Sequence, residues 1–102
     1  MHLVQVLLPL RDNNGAPFPG SAFAAVRAEL TDRFGGLTAY SRVPAEGLFS
    51  DADGHVLRDD IVVFEVMCDA LDDAFWAEYR KRLMSTFAQE DLVIRALETR
   101  RL

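Results

Sequence analysis

The sequence predicts an α+β fold in which strands and helices follow one another in the order βαββαβ. In two segments, apolar residues recur at three- and four-residue steps, as they do on one face of a helix. Four shorter segments are rich in apolar and β-branched residues and are bounded by loop-forming residues, as strands are. The chain has 102 residues, which is the size of one domain. We therefore expect a single domain over 1–102.

The first strand and the first helix have clear boundaries in the sequence. A strand is predicted over 3–8, closed by Pro9, and the segment 11–20 is rich in Asn, Gly and Pro, as loops are. Ser21 is expected to cap the helix by accepting a hydrogen bond from a free backbone N–H. Gly35 is expected to end it, since glycine adopts the left-handed conformation at little cost. The apolar stripe of this helix is formed by Phe23, Val26, Leu30 and Phe34.

The middle of the sequence predicts a β-hairpin. The second strand is predicted over 37–43 and the third over 61–67. The third is an almost unbroken apolar run, which is typical of a well-buried strand. Between them, 51–54 reads Asp-Ala-Asp-Gly, a composition that favours a tight turn.

A turn centred on 52–53 also predicts the register of this hairpin. It would pair Tyr40 with Glu65 and Arg42 with Val63. Pro44 cannot donate a ladder hydrogen bond, so it could introduce a β-bulge and shift the register by one residue.

The second helix is expected to begin at an aspartate, either Asp72 or Asp69, that caps its first turn. The pair 89–90, Gln-Glu, is expected at the turn that follows, with side chains bonded to backbone groups. The last strand is predicted over 91–97. The apolar stripe of the helix is formed by Trp76, Tyr79, Leu83 and Phe87.

The element order also predicts a topology. Two split βαβ units with right-handed crossovers give a four-stranded antiparallel sheet of strand order 4-1-3-2, with both helices on one face. This arrangement is the ferredoxin-like fold.

Side chains alternate along each strand, so the sheet has two faces. The face predicted to lie under the helices is almost wholly apolar: Val4, Val6, Leu8, Ala39, Ser41, Val43, Val62, Phe64, Val66, Leu92, Ile94 and Ala96. The opposite face, here called the open face, is also mostly apolar: Leu3, Gln5, Leu7, Thr38, Tyr40, Arg42, Ile61, Val63, Glu65, Met67, Val93, Arg95 and Leu97.

A sheet face open to water is normally polar, and an exposed apolar patch of this size marks an interface. We therefore expect a homodimer joined through the open faces. Burying roughly 500 Å² of apolar surface per chain, at about 25 cal/mol per Å², gives roughly 12 kcal/mol per chain before entropy costs. The alternative is that a long loop or the C-terminal tail covers this face.

Five polar residues interrupt the open face near its middle, and they are the candidate site residues: Gln5, Tyr40, Arg42, Glu65 and Arg95. In a dimer they would line a cavity of the mixed kind that binds small molecules. Tyr40 and Glu65 are the catalytic candidates, as an acid/base pair. Gln5, Arg42 and Arg95 are the ligand-binding candidates, the arginines for an anionic substrate. The alternative is a set of interface salt bridges, such as Glu65 with Arg42 or Arg95.

Other chemistry is disfavoured. The turn at 51–54 lacks the glycine and glutamate positions of an EF-hand loop, and His2 and His55 stand near opposite ends of their strands, so we expect no metal site. No cofactor motif is found, and we expect none to bind. The single Cys68 cannot form an internal disulfide and is expected to be structural.

Charge and hydropathy disfavour two kinds of partner. The net charge of −5 and a first strand without aromatic residues disfavour nucleic acid. Without an apolar run of 18 residues, no membrane-spanning segment is predicted. The segment 3–10 is too short and too interrupted for a signal peptide, so we expect a cytoplasmic protein.

Two segments carry a resemblance to a known family. Residues 33–38, Arg-Phe-Gly-Gly-Leu-Thr, and 87–93, Phe-Ala-Gln-Glu-Asp-Leu-Val, resemble the corresponding segments of a family of small bacterial domains of unknown function. The layout as a whole resembles the dimeric α+β barrel superfamily, which includes antibiotic-biosynthesis-type monooxygenases and muconolactone isomerase-like enzymes. These resemblances imply the fold and a sheet-to-sheet homodimer, but no reaction.

Two functions are therefore carried forward. The first is a non-catalytic accessory or interaction protein that assembles through its open face. The second is a small-molecule-binding protein, or an enzyme, with a cavity between two sheet-to-sheet packed subunits.

Overall fold

A computed structural model describes the backbone of residues 1–50, 54 and 56–102, and their side chains except for 41–47, 49–50 and 56–59. The predicted element order is confirmed. In chain order the elements are β1 (His2–Pro9), α1 (Gly20–Phe34), β2 (Thr38–Ser50), β3 (Val56–Cys68), α2 (Asp73–Thr86) and β4 (Ile94–Glu98).

The four strands form one sheet in the order β2-β3-β1-β4, which is the predicted order 4-1-3-2 counted from the other edge. Each neighbouring pair is antiparallel. The ferredoxin-like prediction is thus confirmed. Of the helices in the described part of the chain, none is long and apolar enough to cross a membrane.

The core lies between the two helices and one face of the sheet. Its buried residues come from the predicted helix stripes, from alternate positions of the central strands and from the segment before β4: Val4, Val6, Leu8, Phe23, Val26, Leu30, Val62, Phe64, Val66, Trp76, Tyr79, Leu83, Phe87 and Leu92. Ala39 and Ala96, predicted to face the helices, are exposed. Both lie on the edge strands, whereas the burial is centred on β1 and β3.

The predicted start of α1 is wrong and its predicted end is right. The N-cap is Pro19, in an extended conformation, and it makes no side-chain capping bond. Ser21 lies within the first turn and is exposed. At the other end, Gly35 has a φ of 77° and donates its N–H to the carbonyl of Thr31 at 2.8 Å. The helix therefore starts where proline sets the backbone and stops where glycine permits a left-handed residue.

The predicted capping of α2 is confirmed. Oδ1 of Asp72 accepts a hydrogen bond from the Phe75 N–H at 3.1 Å, and Nε2 of Gln89 donates to the Phe87 carbonyl at 2.9 Å. Between these last two residues Ala88 has a φ of 49°, in the left-handed region that favours glycine. The chain turns back toward the sheet at this residue.

The predicted register of the β2–β3 hairpin is wrong. Tyr40 pairs with Val63, and it is Thr38 that lies opposite Glu65. The bulge expected near Pro44 is present, but it is larger than one residue. From Tyr40 to Ala45 the chain advances five positions, while β3 moves only two, from Val63 to Ile61, so β2 carries three extra residues.

The hairpin strands are also longer than predicted, at thirteen residues each. β1 pairs with β3 only as far as Pro9 and Ile61, so the pairs from Glu46–Asp60 to Ser50–Val56 extend beyond the four-stranded part of the sheet. Of the predicted turn at 51–54, the residues 51–53 lie outside the described part of the chain.

β4 starts at Ile94, three residues later than predicted. The preceding segment is held by other bonds. Nε of Arg80 donates to the Leu92 carbonyl at 2.7 Å, and the Leu7 N–H donates to the Val93 carbonyl at 3.1 Å. Leu92 is buried all the same, as a member of the core cluster.

Candidate functional site

A row of polar side chains crosses the open face, with one residue from each strand. The register places Gln5 of β1 between Glu65 of β3 and Arg95 of β4. Tyr40 of β2 pairs with Val63, two residues from Glu65 and on the same face. These four residues are hereafter called the polar row. The structure thus brings together four of the five candidate residues; the side chain of the fifth, Arg42, lies outside the described part of the chain.

The side-chain amide of Gln5 connects the two charged residues of the polar row. Nε of Arg95 donates to Oε1 of Gln5 at 2.7 Å, and Nε2 of Gln5 donates to Oε2 of Glu65 at 3.0 Å. An amide has one acceptor end and one donor end, so it can bond a cation and a carboxylate together. Among the described side chains, the expected direct salt bridge from Glu65 to Arg95 is replaced by this relay through Gln5.

Glu65 is the buried charged residue of the described core, with 8% of its surface exposed. A buried carboxylate is costly unless donors surround it, and the Gln5 amide supplies one. The pKa of Tyr40 is raised, first by side-chain hydrogen bonding to Glu65 and then by the charge of that carboxylate. The neighbouring carboxylate therefore favours the protonated form of the Tyr40 hydroxyl.

The rest of the open face is apolar and partly exposed. Leu3, Leu7, Ile61 and Val63 are half-buried. Met67, Val93 and Leu97 are each about half exposed, at 51%, 46% and 49%. The polar row therefore lies within an apolar surface, as the sequence predicted.

A groove of about 660 Å³ opens at the end of the sheet where β2 begins. β3 continues to Cys68 and pairs there with His2 of β1, whereas its pairing with β2 stops at Glu65 and Thr38. The last three residues of β3 therefore lack a strand on one side, within the described part of the chain. The groove occupies this position, and its lining includes Met1, Leu3, Arg33, Phe34, Gly35, Gly36, Leu37, Thr38, Tyr40, Glu65, Met67, Asp69 and Arg101.

This groove was not predicted from the sequence. The Tyr40 and Glu65 side chains in its lining were candidates, but Thr38, Arg33 and the two glycines were not. The segment 33–38 stood out only for its resemblance to a family. The signal that could have revealed the groove is the late start of β2 after two glycines, which leaves the end of β3 uncovered.

A second depression, of about 570 Å³, lies at the opposite end of β1. It is more apolar, and its lining is dominated by the segment before β4 and by residues of the strand ends: Leu7, Pro9, Asn13, Leu48, Ile61, Gln89, Glu90, Asp91, Leu92 and Val93. Its charged residues belong to one segment, and the polar row does not reach it. In the described residues, no three His, Cys, Asp or Glu side chains come together as metal ligands would.

Comparisons with known proteins define the fold and go no further. No protein-family model matches the chain, and no curated protein matches it. Similar solved structures include a phage SAM lyase in complex with S-methyl-5'-thioadenosine, with a TM-score of 0.62 and 13% identity, covering 95% of this chain and 80% of that one. The same lyase in its apo state has a TM-score of 0.60 and 13% identity, over 94% and 78%.

A third similar structure is the divalent cation tolerance protein CutA1 from Thermus thermophilus, with a TM-score of 0.62 and 12% identity, covering 97% of this chain and 84% of that one. These neighbours share the ferredoxin-like α+β fold with the present chain. At identities this low, the likeness concerns the fold alone.

Proposed function

We propose that this chain is a non-catalytic accessory protein that assembles with a second copy of itself through the open face. The observation that carries the proposal is the polar row. Its glutamate, amide and guanidinium are bonded to one another, so each of them keeps a hydrogen-bond partner when water is removed from this face. A face prepared in this way can be buried against a second sheet without leaving charges unpaired.

The surroundings of the row support the same proposal. Both helices pack on the other face, so neither of them covers the apolar open face. Two such faces, at roughly 500 Å² each, remove roughly 1,000 Å² from water, which is the lower limit for a specific interface. A second copy is the occupant that this argument favours, because the face is apolar around a central polar row and matches itself under a two-fold axis.

The resemblance of 33–38 and 87–93 to small bacterial domains of unknown function fits an accessory role. The domains of that family have no assigned reaction. We extend the proposal no further than the assembly itself, because the neighbours' functions differ from one another. One is a lyase and another a cation tolerance protein.

The experiment is a mass measurement in solution with a matched pair of variants. Leu97→Asp places a charge on the half-exposed open face, and Ala24→Asp places the same charge on the exposed side of α1. We expect wild type and Ala24→Asp to sediment with twice the mass of one chain, and Leu97→Asp with the mass of a single chain. Circular dichroism checks that each variant is folded. A monomeric wild type at the highest soluble concentration would overturn the proposal.

A further inference from the structure

The polar row carries opposite charges at equal distances from Gln5. Glu65 on β3 and Arg95 on β4 are both paired with Gln5 on β1, so the three residues lie in one line across the strands. Neighbouring strands in a sheet are about 4.8 Å apart. The negative and the positive end of this line therefore stand one strand spacing to either side of Gln5.

Both charged side chains are held in place within one chain. The Arg95 Nε–H donates to Gln5 at 2.7 Å, and Gln5 donates to Glu65 at 3.0 Å. Side chains held in this way lose little entropy when a partner binds them. Arg95 is exposed and has further N–H donors on its two terminal amino groups, whereas Glu65 is only 8% exposed. The recessed carboxylate is therefore reached best by a long side chain of a partner, such as arginine.

The direction of the row limits how two open faces can pack. In a symmetric face-to-face pair the two-fold axis lies between the sheets. An axis along the row would place Glu65 over the partner's Glu65 and Arg95 over the partner's Arg95, which is repulsive. An axis along the strands at Gln5 reverses the row, so that Glu65 lies over the partner's Arg95. If that axis is shifted by half a strand spacing toward β3, Arg95 faces β2 of the partner, level with Thr38. Of these three arrangements, the axis at Gln5 is the one that pairs opposite charges.

We propose that the second copy binds with its two-fold axis along β1 at Gln5, so that Arg95 of each chain forms an ion pair with the partner's Glu65. This inference rests on the assembly proposed above and gives its geometry. The two ion pairs join Glu65, Gln5 and Arg95 of both chains into one closed ring, bonded within each chain through Gln5. Since assembly removes these charges from water, an arrangement that pairs them is favoured over one that leaves them apart. Each chain thus supplies the charge that the row of the other chain faces.

The dimensions of packed sheets allow this ion pair. Stacked sheets lie about 10 Å apart, a gap that an arginine from one side and a glutamate from the other fill together. Their strands cross at about 30°, which at one strand spacing from the axis displaces the facing residue by roughly 2–3 Å. The axis at Gln5 overlays β3, β1 and β4 with β4, β1 and β3 of the partner. These strands carry most of the apolar residues around the row, namely Leu3, Leu7, Ile61, Val63, Met67 and Leu97. β2 lies outside the overlap, so the ion pair does not depend on it.

The test compares dimer dissociation constants, measured by sedimentation, for matched charge reversals. Arg95→Glu should weaken the dimer about a hundredfold or more, because both ion pairs become like-charge contacts. Lys81→Glu changes the net charge by the same amount at an exposed position of α2, away from the open face, and should dimerise like wild type. Glu65→Arg should also dimerise weakly by itself. An equimolar mixture of Glu65→Arg with Arg95→Glu should dimerise again, because each facing pair then has opposite charges. If both variants are folded and their mixture stays monomeric, the proposed axis is overturned.

A mixture of wild type with Arg95→Glu tests the axis without changing the buried Glu65. In the proposed arrangement the mixed dimer keeps one of its two ion pairs, so its dissociation constant should fall between those of the two homodimers. If the two rows ran in the same direction, the new carboxylate would face the partner's Arg95, and the mixed dimer would be tighter than either homodimer. Native mass spectrometry separates the three dimers by mass. A mixed dimer tighter than both, or an Arg95→Glu dimer as tight as wild type, overturns the axis but not the assembly. A wild type that stays monomeric overturns both.

Discussion

Gln5 and Glu65 face each other across β1 and β3, and Nε2 of Gln5 donates a 3.0 Å hydrogen bond to Oε2 of Glu65. The two residues are sixty positions apart in the sequence, so the bond reports correct pairing of the two central strands. It also allows a carboxylate to be buried beneath an apolar surface, which without donors would be strongly unfavourable.

The first prediction concerns this pair. Gln5→Leu should lower the free energy of unfolding by about 1–3 kcal/mol, because it removes a donor from a buried carboxylate. Replacing both residues, Gln5→Leu with Glu65→Leu, should cost less than the sum of the single changes, because no buried charge is then left without its donor. Urea unfolding of the four proteins measures this coupling. Strictly additive effects would show that the bond contributes nothing to stability.

The second prediction concerns pH. Hydrogen bonding to Glu65 raises the pKa of Tyr40, and burial raises the pKa of Tyr79. A tyrosine whose pKa is higher in the folded than in the unfolded state contributes to the free energy of unfolding. The contribution is complete below the unfolded pKa, about 10, and is lost as pH rises through the folded pKa. We therefore expect the free energy of unfolding to fall in alkaline solution above about pH 10.

The chain has two tyrosines, so ultraviolet absorbance can follow them separately. In Tyr79→Phe the remaining titration belongs to Tyr40, and adding Glu65→Gln should lower its pKa toward the ordinary value, because the neighbouring negative charge is gone. Phe75→Leu, a change beside Tyr79 and away from Glu65, should leave the Tyr40 titration where it is. A Tyr40 pKa that does not respond to Glu65→Gln would contradict the assignment.

The third prediction compares the two adjacent glycines after α1. Gly35 has a φ of 77°, whereas Gly36 is outside the positive range, and neither has a neighbouring atom where a Cβ would lie. Gly35→Ala should cost about 1–2 kcal/mol in the free energy of unfolding, from the left-handed backbone alone. Gly36→Ala should be neutral or slightly stabilising. Thermal unfolding checks both, and equal effects would mean that the conformation of Gly35 is not the cause.

The fourth prediction concerns the turn after α2, where a substitution by glycine is expected to stabilise the protein. Ala88 has a φ of 49°, so Ala88→Gly should raise the free energy of unfolding by about 0.5–1 kcal/mol, since glycine adopts this conformation without strain. Ala77→Gly, at an exposed position inside the same helix, should lower it by about 1 kcal/mol. Chemical denaturation measures the free energy of unfolding of both variants and of wild type. A destabilised Ala88→Gly would show that this turn is not strained.

The sequence predicted most of the fold because the signals for helices and buried strands are local. Each helix stripe, in α1 and α2, can be recognised within one short segment. The same holds for the alternation in β1 and β3. Together with the order of the elements, these patterns predict the topology of the sheet. The register of the hairpin is not local. It depends on how three extra residues between Tyr40 and Ala45 are accommodated, and the sequence near Pro44 indicates a bulge without its size.

The difference between local and non-local signals also explains which parts of the candidate site the sequence predicted. Strand order and side-chain alternation were enough to bring Gln5, Tyr40, Glu65 and Arg95 onto one face. They did not predict the two hydrogen bonds through the Gln5 amide, because alternation determines the face and not the rotamer. The groove was missed because it depends on where β2 begins, and the ends of strands are the least certain part of a sequence-based prediction.

The polar row also has a consequence for the order in which the protein folds. Gln5 belongs to the first of the four strands to be synthesised, yet its partners follow sixty and ninety residues later. β1 lies between β3 and β4 in the sheet, so both of its edges wait for strands from the later half of the chain. During synthesis β1 is exposed without its partner strands. It must then avoid pairing with other nascent chains on the same polysome. One of the two central strands is thus synthesised before the other three strands of the sheet, and its second edge is covered only by β4.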